Sequence, residues 1–331
     1  MKVRFKPSAL EALILVFVYL PSYIAVSWYS AENTPMLLDN LMYRERYEAV
    51  TISNLPFGVE LVTAIFMYAG SKIGLTYYQF LFVKSMSWLF VIYRLYAATR
   101  KRRVVAALVL ASFLVPSFHD ITSFLLRQSF AFEFFILAAT SRSKVAKYAF
   151  AGLMFFSQIS SIIWLPFLFL RPGVLVRRSV LLVLLVLAPV SMFSGFSLGS
   201  QVIAAGTSLI GYAGIFAANL QTKVGFYDSV GLASAGGGAS FKNMAAMILS
   251  AVALLVVAPR WIRGVPEGVL RILDVQIFAS LAFFLLFGNQ ILSNRFGYAA
   301  YFISGLFIAL ALFACWPRVC AMFGMRIETS Q

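Results

Sequence analysis

Charge is scarce in this chain, and acid scarcer than base. Twelve aspartates and glutamates stand against 27 lysines and arginines in 331 residues, with one histidine and two cysteines. Charged residues are 12% of the total and hydrophobic ones 61%, so a soluble globular domain is excluded for want of a polar surface. The two thiols, Cys315 and Cys320, make neither a disulfide framework nor a zinc site. No Asp-x-Asp pair, histidine-rich cluster or glycine-rich phosphate loop occurs, so a nucleotide-sugar enzyme, a metal centre and a bound cofactor find no support. No internal repeat is visible either, which removes the signature of a transporter built from paired halves.

What the chain has instead is apolar runs, at about 9–28, 57–70, 76–98, 104–118, 121–140, 148–170, 179–194, 243–259, 272–292 and 297–316. Runs such as "SVLLVLLVLAPVSMF" lack the short alternation of a membrane β-barrel. The expected fold is all-α: a polytopic helical membrane protein of about 9–11 transmembrane or re-entrant helices, with 1–331 as a single integral membrane domain. The run 57–70 is short and reads as a re-entrant or interfacial helix. The run 148–170 is broken by "SQISS" and reads as two short helices meeting at Gln158. The first run reads as an uncleaved span rather than a signal peptide.

With those two assignments the basic clusters share one side. They are Lys2/Arg4/Lys6, Arg100 to Arg103, Arg142/Lys144/Lys147, Arg171/Arg177/Arg178, Arg260/Arg263/Arg271 and Arg318/Arg326. That pattern orients a membrane protein with both termini cytoplasmic, and it is unlike a nucleic-acid surface. The opposite side then receives 29–56, the "FHD" tip, the Gln158 turn, "SNR" and a long loop 195–242. The run "GLASAGGGAS" in that loop is expected to keep it mobile.

Ionisable groups near membrane depth are costly and point to function. Arg127 and Arg295 each sit at the outer end of an apolar run, and a guanidinium fork suits a phosphate or diphosphate. Asp120, Phe124 and Arg127 are spaced i, i+4, i+7, one face of a continuous helix. Asp39, Tyr43 and Arg46 repeat that spacing, with Tyr47 beside them, on an expected amphipathic helix; Glu60 follows, and Tyr298 lies one turn after Arg295. Arginines, tyrosines and a few carboxylates at the outer leaflet fit a lipid-diphosphate sugar. A carboxylate or His119 would take the proton of an attacking hydroxyl. Each residue also has a plainer reading. The arginines could snorkel to lipid headgroups, His119 could make an interfacial hydrogen bond, Asp120 could neutralise Arg127, and the tyrosines could be belt aromatics.

The order "DNLMYRERY", "PFGVE", "LLRQSFAF", "FFSQISSIIWLPFLFL" and "NRFGYAAYF" resembles the EpsG/Wzy family of bacterial polysaccharide polymerases over most of the chain. The resemblance implies a membrane glycosyltransferase, similar in fold to the GT-C type. It would join oligosaccharide repeat units carried on undecaprenyl pyrophosphate at the periplasmic face, as an O-antigen or exopolysaccharide polymerase, beside a chain-length regulator. It also implies importance for Asp39, Tyr43, Tyr47, Glu60, Arg127, Gln128, Arg295 and Tyr298. Where that family usually has histidine at the turn, this chain has Gln158, which can bond a sugar but cannot act as a base. On this reading Arg127 and Arg295 would hold the diphosphate, and Asp120, Glu60 or Asp39, in falling order, would activate the acceptor. An O-antigen ligase shares the donor chemistry, a flippase or transporter would line a path with cations, and a membrane O-acyltransferase would need a histidine within a span.

Overall fold

A backbone inside a bilayer must satisfy its own hydrogen bonds, and the apolar runs do so as helices. The structure, a computed structural model, describes residues 9–34, 38–194, 197–209, 241–257 and 265–322, and contains no strand among them. Among the described residues three helices are long and apolar enough to cross a membrane: Leu10–Glu32 (α1), Tyr77–Thr99 (α4) and Glu267–Leu285 (α13). A bent pair, Gln290–Tyr301 (α14) and Ser304–Met322 (α15), turning by 45° at its break, gives a fourth candidate. The protein is membrane-embedded and all-α. It divides into two compact units, Met1–Phe169 and Leu170–Gln331.

In the first unit, α1 carries a π-helical stretch at Ile14–Tyr19 and is followed by Leu38–Glu48 (α2), the expected amphipathic segment. The short run is a helix of 12 residues, Leu61–Lys72 (α3). A capping box opens α4, Thr76 Oγ1 accepting from the Gln79 N–H and Gln79 Oε1 from the Thr76 N–H. Two expected spans are cut differently. Arg103–Ser112 (α5) stops before Pro116, where Pro116–Phe124 (α6) begins, and Leu125 then breaks the chain (φ −108°, ψ 52°) ahead of Leu126–Thr140 (α7). The expected single face through Asp120, Phe124 and Arg127 is therefore absent, because no continuous helix joins them.

Helix α7 is the hub of this unit: every residue from Gln128 to Ala139 is buried, as befits a helix that is apolar all round. Lys144–Ser157 (α8) packs along it. After Gln158 the chain continues as Ile159–Phe169 (α9), opening with a 3₁₀ stretch to Trp164. Lys147 Nζ donates to the Leu168 carbonyl, and the Tyr148 and Phe169 rings stack 5.8 Å apart. The two arms thus double back at Gln158, as the break in the sequence predicts.

The described residues of the second unit form Arg178–Ser194 (α10), Gly199–Leu209 (α11), Phe241–Val257 (α12), α13, α14 and α15. Helix α11 occupies part of the segment expected to be a loop; "GLASAGGGAS" lies outside the described residues. At Gly297 a Cβ would come within 2.8 Å of the Phe283 side chain, so only glycine lets α14 lie this close to α13. Asp274 of α13 accepts the N–H groups of Gly173, Val174 and Leu175 at 2.7–3.2 Å, which fixes the turn before α10.

Candidate active site

Arg127 stands at the N-terminal end of α7, where the helix dipole and unbonded N–H groups are positive. Its Nη1 donates to Glu60 Oε2, and its Nε donates to the Tyr43 hydroxyl oxygen at 3.2 Å. Glu60 is buried, and its other oxygen accepts the Ile159 N–H at 3.1 Å. Four pieces of chain therefore meet at one guanidinium: α2, the start of α3, the start of α7 and the Gln158 turn. Of the five N–H donors of an arginine, Nη2 and the second Nη1 hydrogen are left for a ligand among the described residues. The Tyr43 oxygen accepts from Arg127, which leaves its own O–H free to donate.

Phe57 completes the cradle, and the sequence singled it out only within a motif. It adopts the left-handed region (φ 71°) and Gly58 follows it there (φ 59°), so the chain turns sharply into Glu60, whose N–H donates to the Phe57 carbonyl at 3.2 Å. A bulky residue in that region is strained by about 1–3 kcal/mol, and such strain gathers at functional sites. The guanidinium carbons of Arg127 and Arg46 each lie 4.8 Å from the Phe57 ring centroid, and the Tyr43 ring meets it edge-on at 5.6 Å. Two cations thus lie within twice that distance of each other against one ring. Glu60 offsets the charge of Arg127, and Arg46 adds a second positive charge beside it that favours a further anion. "LPFG" was the available signal: proline then a bulky residue before glycine marks a tight turn.

Gln158 is buried beside the bond from Ile159 to Glu60. Its Nε2 donates to Ser160 Oγ at 2.9 Å, while Oε1 has no protein partner among the described residues. Gln128 is buried next to Arg127. Tyr47 serves packing: its hydroxyl donates to the Leu75 carbonyl at 2.8 Å, and its ring lies 4.9 Å from Phe80. A Cβ on Gly70 would come within 3.0 Å of that hydroxyl.

Other candidates stand elsewhere. The carboxylate paired with Arg127 is Glu60, whereas the sequence reading gave that part to Asp120. Asp120 is half-buried on α6, and burial raises its carboxyl above the usual range, with the Ser30 hydroxyl opposing. His119 is enclosed: Nε2 faces the Phe113 carbonyl at 2.9 Å and so carries the proton, and Nδ1 accepts from Ser85 Oγ at 2.8 Å with Ser27 Oγ at 3.3 Å. Asp39 belongs to α2, but its side chain lies outside the described residues. Arg295, half-buried, and Tyr298, fully buried, both belong to α14 in the second unit.

Behind Arg127 on α7, a buried ion pair fixes the helix. Lys84 of α4 donates to Ser129 Oγ and lies 3.6 Å from Glu133 Oε2, and Trp88 Nε1 donates to the same Ser129 oxygen at 3.2 Å. Among the described residues no group of three or more His, Cys, Asp or Glu side chains converges as a metal site would.

Nothing among curated proteins or solved structures matches this chain. The model of one family does, described as "EpsG family", and it runs through residues 12–322, taking in α2, the Phe57 turn, Arg127 and Gln158 alike. An arginine braced at the head of a buried helix in a polytopic membrane protein is thus the property of a chain that belongs to the EpsG family, a membership that supports a role of the polysaccharide-polymerase type.

Proposed function

We propose that this protein is a membrane glycosyltransferase that polymerises oligosaccharide repeat units carried on undecaprenyl pyrophosphate. The active site faces the periplasm, and both termini are cytoplasmic in the inner membrane. The observation that carries the reading is Arg127: braced by Glu60 and Tyr43, stacked on a strained phenylalanine, and left with donors to spare.

The acceptor hydroxyl forms the new bond to the anomeric carbon as the bond from that carbon to the diphosphate oxygen breaks. The electron pair leaves with the lipid diphosphate, and the hydroxyl proton passes to a carboxylate. Arg127, with Arg46 against the same ring and the positive end of α7, stabilises the departing charge. Arg295 is assigned a phosphate role on the sequence reading alone. Both oxygens of Glu60 are engaged, so it acts as a brace; Asp120, which stands apart from that brace, is kept as the preferred base on the sequence reading. The unpartnered Gln158 oxygen suits a sugar hydroxyl. Asp39, Gln128 and Tyr298 are assigned here on the family resemblance alone. A chain-length regulator is the expected protein partner.

Purified protein in nanodiscs, given the lipid-diphosphate repeat unit, should yield a glycan ladder. Arg127→Lys should abolish it at normal protein level, because charge remains but the planar fork is lost. A normal ladder from that variant would remove the diphosphate role, and transport of uncleaved substrate across a vesicle would make the protein a flippase.

A further inference from the structure

A cavity of about 380 Å³ opens where the outer end of α1 meets the start of α4, lined by Trp28, Ala31, Glu32, Thr76, Tyr78 and Gln79. None of these residues belongs to the site around Arg127. We infer that this cleft binds the acceptor saccharide, holding sugar units adjoining the one that reacts. The inference rests on the proposed polymerase reading and names a second subsite for it.

The lining has the chemistry of sugar recognition. Trp28 and Tyr78 supply aromatic faces for the C–H side of a pyranose, and Glu32, Gln79 and Thr76 supply hydroxyl partners at the rim. Trp28 is 40% exposed, yet its ring is held edge-on by Phe82 at 5.1 Å, so the platform is pre-set. Glu32 is one turn beyond Trp28 on the same helix, which puts carboxylate and ring on one side. Ala31 is buried and forms the floor, its small side chain leaving the volume open. The capping box engages Gln79 Oε1 with the Thr76 N–H, so the orientation of that amide is fixed and its NH₂ group is the part offered to a ligand.

Position supports the same occupant. Helix α2 carries Tyr43 to the Arg127 site, and one turn later Tyr47 bonds the Leu75 carbonyl at the threshold of α4, next to Thr76. The Tyr47 and Tyr77 rings lie 5.8 Å apart. One helix thus links the two places, and a polymer whose reacting end is at Arg127 would rest its preceding sugars on Trp28 and Tyr78. A belt tryptophan alone would need no carboxylate and amide facing it.

The test uses full-length protein in nanodiscs and short oligosaccharides cut from the polymer that its own strain secretes, free of lipid and phosphate. Binding is followed by saturation-transfer NMR and by tryptophan fluorescence. We expect saturable binding, weakened about tenfold or more by Trp28→Ala and by Glu32→Gln, and blocked by Ala31→Phe, which fills the floor. Glu32 is exposed, so Glu32→Gln reports binding even if the core variant folds poorly. The same variants should shorten the polymer. Binding that is unchanged in Trp28→Ala and Glu32→Gln would overturn the cleft. So would displacement by phosphatidylglycerol in place of phosphatidylcholine, which would make it a lipid-headgroup site. Arg127→Ala separates the two ideas: retained oligosaccharide binding upholds the cleft, and a retained ladder refutes only the diphosphate role.

Discussion

Glu60→Gln changes the candidate site by a single atom type, and the structure says what should follow. The carboxylate accepts on both oxygens, from Arg127 and from the Ile159 N–H. A carboxamide accepts on one only, and its NH₂ must then face a donor. The amide is neutral whichever way it turns, so a guanidinium that is only 12% exposed loses its counter-charge. Breaking a buried pair in that way costs about 3–5 kcal/mol, and the residual exposure places this one at about 3. If the oxygen turns to Arg127, that hydrogen bond is kept and the backbone N–H of Ile159 is orphaned, which costs about 1–3 kcal/mol. About 3 kcal/mol or a little more is expected, or a fall in melting temperature of roughly 4–5 °C for 331 residues at about 2.1 cal/mol/K each. Tryptophan-fluorescence melts in nanodiscs of Glu60→Gln, Arg127→Gln and the double variant would measure it. The double variant should lose less than the two singles together, by about 1 kcal/mol or more, because they share one interaction. Glycan ladders should be lost or severely shortened in all three. A single variant melting with the wild type, or strictly additive losses, would mean that Glu60 does not hold Arg127.

Two further outcomes are expected. Phe57→Gly should melt above Phe57→Ala, since glycine takes the left-handed turn at no cost while alanine keeps the strain and loses the ring; both should raise KM for the lipid-linked donor, and equal melts would refute the strained turn. Polymerisation should fall on acidification with an apparent midpoint above the ordinary aspartate value of 3.8, a limb that Asp120→Asn removes. The sign for stability is opposite: a carboxyl raised in the folded state adds stability at low pH that is lost as pH climbs through its folded value. An acid limb unchanged by Asp120→Asn would take the base role from Asp120.

The membrane class and most helices were legible in the sequence because hydropathy reports them directly, and "SQISS" disclosed the return at Gln158. Helix ends were less so. The breaks at Pro116 and Leu125 are packing decisions around α7, and an apolar run reads the same whether its helix is straight or cut. The brace on Arg127 was hidden for a related reason. Spacing can place neighbours on one helix, which favoured Asp120, but Glu60 arrives through tertiary folding from a different helix. Lys84 had no reading from the sequence because its partners, Ser129 and Glu133, belong to another helix. Phe57 was missed as a residue because turn chemistry gives a conformation and not the two guanidiniums that come to rest on it.

The Lys84–Glu133 pair also bears on how the chain is made. Helix α4 is the least apolar of the three long spans, with a mean hydropathy of 1.3 against 1.9 and 1.8, and a lysine near its middle makes its entry into lipid dearer by about 2.5–3.5 kcal/mol. Synthesis delivers that lysine first and its carboxylate only after α5 and α6 have emerged. In the interval α4 is a reluctant guest of the bilayer, free to slip back or linger at the translocon. The arrival of α7 closes the charge and holds both helices at once. The helix that carries Arg127 therefore also carries the counter-charge of α4, so one packing contact ties the seating of the candidate site to the comfort of that span in lipid.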